Sequence, residues 1–446
     1  MARSCLWAVL FLSLAGGASA AQPSPTLTPQ QMREDLVYAR DVWKPQDKSF
    51  SPAATREFNR IMDQAIANVG SLDPLGFWMT LSRALAVSGN GHTMVNGDDP
   101  PFPSLPIHVW WFRDGLYIVR AQPEYAYLLG ARIEKIGRDT PEQALAAVTP
   151  YISGHSPWVR SMSPGYLRIP ALLHRLGITA SDTETQLTVQ LWGRSGSQQV
   201  SLPLASMPDP TDGWGALRPE PASQKGRWPG VIDSVNSVPL TYQEPVNLSS
   251  RWLGPDHRVL YIRSNQIWGF GGPDIHDKLA VIFLTQIVPE HPRSVIVDLR
   301  FNGGGNFFST ILFAQALPEL LPRGGHIYVL VSGNTFSAAI VTGAMLKESG
   351  GRKVVFLGMP MGDAEGFWAE GQPMPLPHSR LELRPGTQFE DWGRGCHDMR
   401  RCFFPDVIWG PKSPISLQPD EEIAPTFAEY AVGWDPVLQR ALALSR

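Results

Sequence analysis

The chain has 446 residues, enough for two or three domains, each with its own core. Apolar residues make up 43% and charged residues 18%, an ordinary globular balance, and the formal net charge is only −3 with no basic run. That balance offers no electrostatic footprint for nucleic acid, so no nucleic-acid partner is expected.

The first twenty residues, MARSCLWAVLFLSLAGGASA, carry one early cation (Arg3), an apolar run from Leu6 to Leu14, and small residues ending Ala18-Ser19-Ala20. This is the pattern of a secretory signal peptide over 1–20. The run is shorter than the roughly 18 apolar residues a span requires. The expectation is an exported chain without a membrane span, periplasmic or extracellular. Beyond the signal only Cys396 and Cys402 remain, in CHDMRRC. Two near thiols in an oxidising compartment are expected to pair. A Cys/His metal site using His397 would lack a second ligand pair of suitable spacing, so no metal and no cofactor are expected.

Residues 22–97 read as a helical domain. TPQQMREDLVYARDVW and AATREFNRIMDQAIANV space apolar residues three and four apart, Thr28 and Ser51 are N-caps followed by proline, and a third helix covers Pro74 to Val87. It runs into the glycine-rich loop SGNGHTMVNGDDPP. Over 104–205 the period changes. LPIHVWWF and LYIVRA are two strands joined by a tight turn at Asp114-Gly115, and TQLTVQLWGRSGSQQVSLPL is a second hairpin around Gly193 to Gly196, with short helices between. This is a compact sheet-rich module. Residues 206–250 are rich in proline and glycine and read as a linker or extended surface segment. From 251 to 446 strands alternate with helices, the pattern of an α/β layer.

Two stretches in that last part carry chemistry. In VIVDLRFNGGGNFFST a buried strand runs into Gly303, Gly304 and Gly305. Glycines let a backbone approach a ligand and present its N–H groups, which suits a phosphate or an oxyanion. No Gly-Lys-Ser/Thr follows and the GxGxxG spacing is absent, which argues against phosphate. A tight turn without chemistry explains the glycines equally well. In YVLVSGNTFSAAIVTGAML, Ser337 opens a small-residue helix. A helix N-terminus favours a developing oxyanion, although serine there is also a common cap. A serine nucleophile needs a base. His92, in SGNGHTMV, is one, but nothing in the linear sequence brings it to Ser337.

Together, VIVDLRFNGGG and NTFSAA resemble the core of the tail-specific, or C-terminal-processing, serine peptidases. The tricorn protease core and the retinoid-binding modules of the interphotoreceptor retinoid-binding protein share that fold. GNGHT resembles the Gly-His-Thr of the tricorn-like branch, and FFPDVIW with GWDPVLQRAL resembles the family's Pro-Asp segment and closing helix. The resemblance implies a fold class of α/β with a crotonase-like ββα catalytic core, an N-terminal helical domain and a PDZ-like sheet-rich module. It implies Ser337 as nucleophile, with the oxyanion held by the N–H of Ala338 and that of Gly303 or Gly304. The lysine of the processing peptidases has no counterpart: Lys353 comes too early and Asp363 stands near the expected place. The resemblance therefore points to His92 as base. The acid partner is Asp363 by position, or Glu390 or Asp398, the nearest acids upstream of Pro405-Asp406. The implied activity is cleavage of a peptide or protein substrate through an acyl-enzyme. The alternative is a catalytically silent module of the same fold that holds a peptide or an apolar ligand.

Overall fold

Proline in the first turn and a capping side chain before it start each of the N-terminal helices. The structure is a computed structural model and describes residues 27–95, 100–207, 211, 213–219, 226–243, 246–254, 256, 258–267 and 275–446. The expected signal at 1–20 lies outside the described residues. Thr28 caps α1 (Pro29–Tyr38) in a reciprocal box with Gln31, Ser51 caps α2 (Pro52–Ala67), and Asp73 caps α3 (Pro74–Ala86). Their apolar faces meet in a core containing Leu36, Phe58, Met62 and Leu81, which also takes Leu376 and Leu383 from far along the chain.

The sheet-rich module is an antiparallel meander in the order β1 (Ile107–Phe112), β2 (Gly115–Ala121), β3 (Arg132–Ile136), β4 (Glu184–Gln190), β5 (Gln198–Pro203). Between β3 and β4 come α4 (Pro141–Val148), α5 (Ser156–Tyr166) and α6 (Pro170–Arg175). Val109, Ile118, Ile133 and Leu187 from the strands pack with Val148, Val159 and Leu173 from the helices. The described part of 206–250 buries Leu217, Trp228, Ile232 and Tyr242. Arg120 of β2, wholly buried, donates to Trp228 O at 2.6 Å and pairs with Asp233 at 3.1 Å, holding this segment against the module.

The C-terminal part begins with β6 (Ser249–Leu253) and β7 (Val259–Arg263), then α7 (Ile275–Ile282) and α8 (Val288–Glu290) joined by a π turn. β8 (Ser294–Asp298), α9 (Ile311–Leu320), β9 (His326–Val331), α10 (Ala338–Gly350) and β10 (Val354–Gly358) follow. Next are four short strands, β11 (Gly366–Ala369), β12 (Met374–Pro375), β13 (Glu382–Leu383) and β14 (Gln388–Asp391). The chain closes with α11 (Phe404–Trp409), β15 (Glu421–Glu422), α12 (Phe427–Ala431) and α13 (Pro436–Leu444). The main sheet has the order β15-β10-β9-β8-β7-β6, parallel throughout except for the edge strand β6.

The strands β7 and β8 are buried along their whole length because both faces of the sheet are covered. Side chains alternate between the two faces. Leu260, Val295, Val297 and Val329 face a core with Ala339, Met345 and Leu317, while Tyr261, Ile296 and Leu330 face Val437, Leu438 and Ala441 of α13. The chain is thus a mixed α/β protein. Among the described residues no helix is long and apolar enough to cross a membrane. Cys396 and Cys402 are disulfide-bonded just after β14, as their spacing predicts.

Candidate active site

Three neighbouring parallel strands deliver three of the expected groups. Adjacent parallel strands end on the same edge of a sheet, where ligands of open α/β sheets bind. β8 ends into Asn302-Gly303-Gly304, β9 into Ser337, and β10 into Asp363. The loops are stitched together. Phe336 N–H donates to Asn302 O at 3.0 Å, Thr335 Oγ1 to Leu299 O at 2.8 Å, and Gly362 N–H to Thr335 O at 2.9 Å.

Ser337 sits at φ 53° and ψ −127°, a strained turn for a residue with a side chain, and directly precedes the 13-residue α10. Ala338 is the first residue of that helix, so its N–H has no intrahelical acceptor and lies at the positive end of the helix dipole. Gly304 is pressed against this turn. A Cβ there would stand 2.6 Å from Ser337 Cβ and 2.9 Å from Phe336 O, and its φ is 101°. Only glycine meets both demands. The N–H of Gly304 donates to the side chain of buried Asn302 at 2.9 Å, whose amide in turn donates to Ser264 O at 3.1 Å. Gly303 is exposed, with open space where a Cβ would stand. Of the two glycines, Gly303 is therefore the one whose N–H faces no internal acceptor among the described residues.

His92 reaches this edge from the helical region. Asn90 acts as a strand surrogate: it accepts from Trp368 N–H at 3.0 Å and donates to Trp368 O at 2.9 Å, fixing the GNGHT loop to β11. Thr93 donates to Asp47 at 2.8 Å, and Asp47 also accepts from Gly386 N–H at 2.8 Å. The buried imidazole stacks on Phe336 at 4.4 Å and on Phe367 at 5.1 Å. Its Nδ1 is 3.3 Å from Asp363 Oδ2. Both ring nitrogens and Asp363 Oδ2 are buried, and none of the three makes a hydrogen bond among the described residues. The structure thus places His92 against the residue that precedes Ser337 and next to Asp363, without a hydrogen bond from His92 to either Ser337 or Asp363.

The three acids differ sharply. Asp363 is buried against His92, with His155 Nε2 at 3.8 Å from its other oxygen. Glu390 is buried opposite Phe367 in the β11–β14 pair and accepts from Trp392 Nε1 at 2.6 Å. Burial pushes its carboxyl up to about 8, keeping it protonated at neutral pH. Asp398 is in the disulfide loop, where the backbone and side chain of Arg400 hold its carboxylate below the usual range. Lys353 Nζ donates to Pro318 O at 2.8 Å.

Sequence reasoning missed the supporting residues. Phe336, Phe367 and Trp158, the last stacked on Phe336 at 4.1 Å, have no sequence signal beyond being aromatic. Asn90 carried one, a polar side chain beside GHT, readable only once β11 is known to pass it. Arg300 is gripped by Asp298 at 2.6 Å and by Asp435 at 2.8 Å, and Tyr261 donates to Asp298 at 2.7 Å. The closing Gly-Trp-Asp-Pro segment therefore braces the end of β8 just ahead of the glycine turn. A cleft of about 580 Å³ opens on Gly303, Gly304, Trp158 and Trp214, and a chamber of about 470 Å³ adjoins it across Trp110, Phe301 and Asn334.

No protein-family model and no curated protein matches the sequence. Among solved structures, mature CPAF complexed with lactacystin overlaps 94% of this chain and 99% of its own, at 13% identity and a TM-score of 0.57. A mutant of CPAF overlaps 93% and 96%, at 13% identity and a TM-score of 0.58. The photosystem II D1 C-terminal processing protease overlaps 91% and 98%, at 12% identity, with a TM-score of 0.36. The chain therefore shares its fold with CPAF over nearly the whole length of both proteins.

Proposed function

We propose that this chain is an exported serine peptidase that cleaves peptides through an acyl-enzyme, with 251–446 as a crotonase-like core and 104–205 as a PDZ-like module. The observation that carries this reading is the strained Ser337 turn at the start of α10, packed on Gly304, with a buried His92–Asp363 pair held against the adjoining Phe336. Export rests on the 1–20 signal pattern and on the Cys396–Cys402 bond, which suits an oxidising compartment.

In this reading Ser337 Oγ attacks the substrate carbonyl and its proton passes to His92 Nε2. Asp363, 3.3 Å from Nδ1, accepts from Nδ1–H as the site closes, orienting the ring and stabilising the imidazolium. The N–H groups of Gly303 and Ala338 hold the oxyanion, each such donor contributing about 3 kcal/mol to the transition state. Collapse breaks the C–N bond, and the amine leaves with the proton from His92. Water then hydrolyses the ester and restores Ser337. Because neither ring nitrogen is hydrogen-bonded among the described residues, the Ser337–His92 and His92–Asp363 hydrogen bonds both form as the substrate closes the site.

The test is labelling of the mature protein with a fluorophosphonate probe, followed by peptide mapping. The expected adduct is on Ser337, absent in Ser337→Ala and strongly reduced in His92→Ala. Folded protein that gives no adduct overturns the reading. That result would favour the second one, a silent module, for which the aromatic-lined chamber of about 470 Å³ speaks.

A further inference from the structure

The chamber beside the glycine turn has one unusual lining group. Its walls are largely apolar and aromatic, with Trp110, Trp111, Tyr242 and Phe301 among them, and none of the described lining residues is acidic. Its size falls in the range of sites that take a small ligand or a large side chain, about 300–1,000 Å³. Three arginines reach it. Arg300 is saturated by Asp298 and Asp435, and Arg113 stands exposed. Arg160, on α5, is different. Its guanidinium lies over the Trp111 ring at 3.9 Å, and Trp111 is itself fixed by a 2.9 Å hydrogen bond from Nε1 to Ser163. The Arg160 side chain has no hydrogen-bond or ion-pair partner among the described residues. Burial depresses its pKa, and Glu142 opposes this only through space.

A half-desolvated cation in an aromatic chamber without an anion is costly unless a ligand supplies one. Stacking on Trp111 leaves the N–H edges of a guanidinium available for two parallel bonds to a carboxylate. The chamber shares Phe301 and Asn334 with the cleft in front of Gly303, so an extended chain can occupy both.

We propose that this chamber is a specificity subsite for a carboxylate carried next to an apolar or aromatic group of the peptide, with Arg160 as the partner of the carboxylate. The inference rests on the peptidase reading for the word peptide, but not for the chamber's chemistry. The carboxylate is that of an acidic side chain on a chain that runs through both cavities.

The test is calorimetric titration of the mature Ser337→Ala protein with three probes: N-acetyl-phenylalanine, its amide, and N-acetyl-phenylalanyl-glutamic acid α-amide, whose side-chain carboxylate is free. The glutamic acid probe is expected to bind about 10-fold or more tightly than the amide, the least that a charge-assisted bond supplies. A preference confined to N-acetyl-phenylalanine would mark recognition of a free chain end and overturn the assignment to a side chain. Arg160→Gln is expected to remove the preference and Arg160→Lys to keep part of it, with thermal melts showing both variants folded. Equal binding of acids and amide, no binding of any probe, or a preference that survives in Arg160→Gln overturns the proposal. Fluorophosphonate labelling of the unsubstituted protein separates the two readings. Labelling without acid preference removes only the subsite; acid preference without labelling removes the hydrolase and keeps the chamber as a binding site.

Discussion

The imidazole of His92 and the ring of Phe336 stack with centroids 4.4 Å apart and planes 27° apart. One belongs to the loop after the N-terminal helices, the other immediately precedes Ser337. Phe367 extends the stack from β11 and Trp158 from α5, so the three regions of the chain meet in one succession of rings. The contact is what brings a histidine to the serine turn. Phe336→Leu is expected to cost about 1 kcal/mol of stability through lost ring contacts. It should also slow fluorophosphonate labelling of Ser337 about 10-fold by loosening the general base. Labelling at the unsubstituted rate in folded Phe336→Leu would show that the stack does not position His92.

Gly303 and Gly304 should respond in opposite ways. Alanine at 304 puts a Cβ 2.6 Å from Ser337 Cβ at φ 101°. Gly304→Ala is expected to lose about 2–3 kcal/mol, from overpacking and backbone strain, and most labelling. Alanine at 303 enters open space at a φ outside the left-handed region. Gly303→Ala should change the melting temperature little. Equal destabilisation by the two substitutions would show that the close approach to Ser337 is not what demands glycine.

Glu390 sets a pH dependence of known sign. Its carboxyl is pushed up to about 8 from 4.5 by burial. Between those values the folded protein keeps a proton that the unfolded chain has released. Stability from this group therefore falls as pH rises through that window and levels off above it. Glu390→Gln should remove a slope of up to about 1.4 kcal/mol per pH unit. Denaturant melts at several pH values across the window measure it, and parallel curves for the two proteins would refute the assignment.

Asp435 supplies one side of the buried clamp on Arg300, within 2.8 Å of it, and also caps α13 by accepting from Leu438 N–H at 3.1 Å. Asp435→Ala leaves a buried cation half-paired and is expected to destabilise by about 3–5 kcal/mol. Since Arg300 lies between β8 and the glycine turn, labelling of Ser337 should fall as well. Asp435→Asn, which keeps the cap, should lose less. Chemical denaturation of both variants decides this, and a loss under about 1 kcal/mol in Asp435→Ala would show that the clamp is not structural.

Much of this protein is determined locally, and that part is readable from residues alone. Caps at Thr28 and Ser51, the tight turn, which falls at Arg113-Asp114, one residue before the expected Asp114-Gly115, and the alternation of strand and helix from Val259 to Gly358 depend on neighbours within a few positions. The pairing of Cys396 with Cys402 is local too. The meeting of the glycine turn with Ser337 follows nearly as directly, since consecutive parallel strands end on one edge. What no local pattern contains is distance across the fold. That Asn90 pairs with Trp368, that His92 lies between Phe336 and Phe367, that Asp363 rather than exposed Asp398 faces the imidazole, and that Asp435 holds Arg300 all depend on long-range packing. So does the state of Glu390, because a carboxyl's proton affinity is set by the water removed from around it, and burial is decided only when the whole chain has closed.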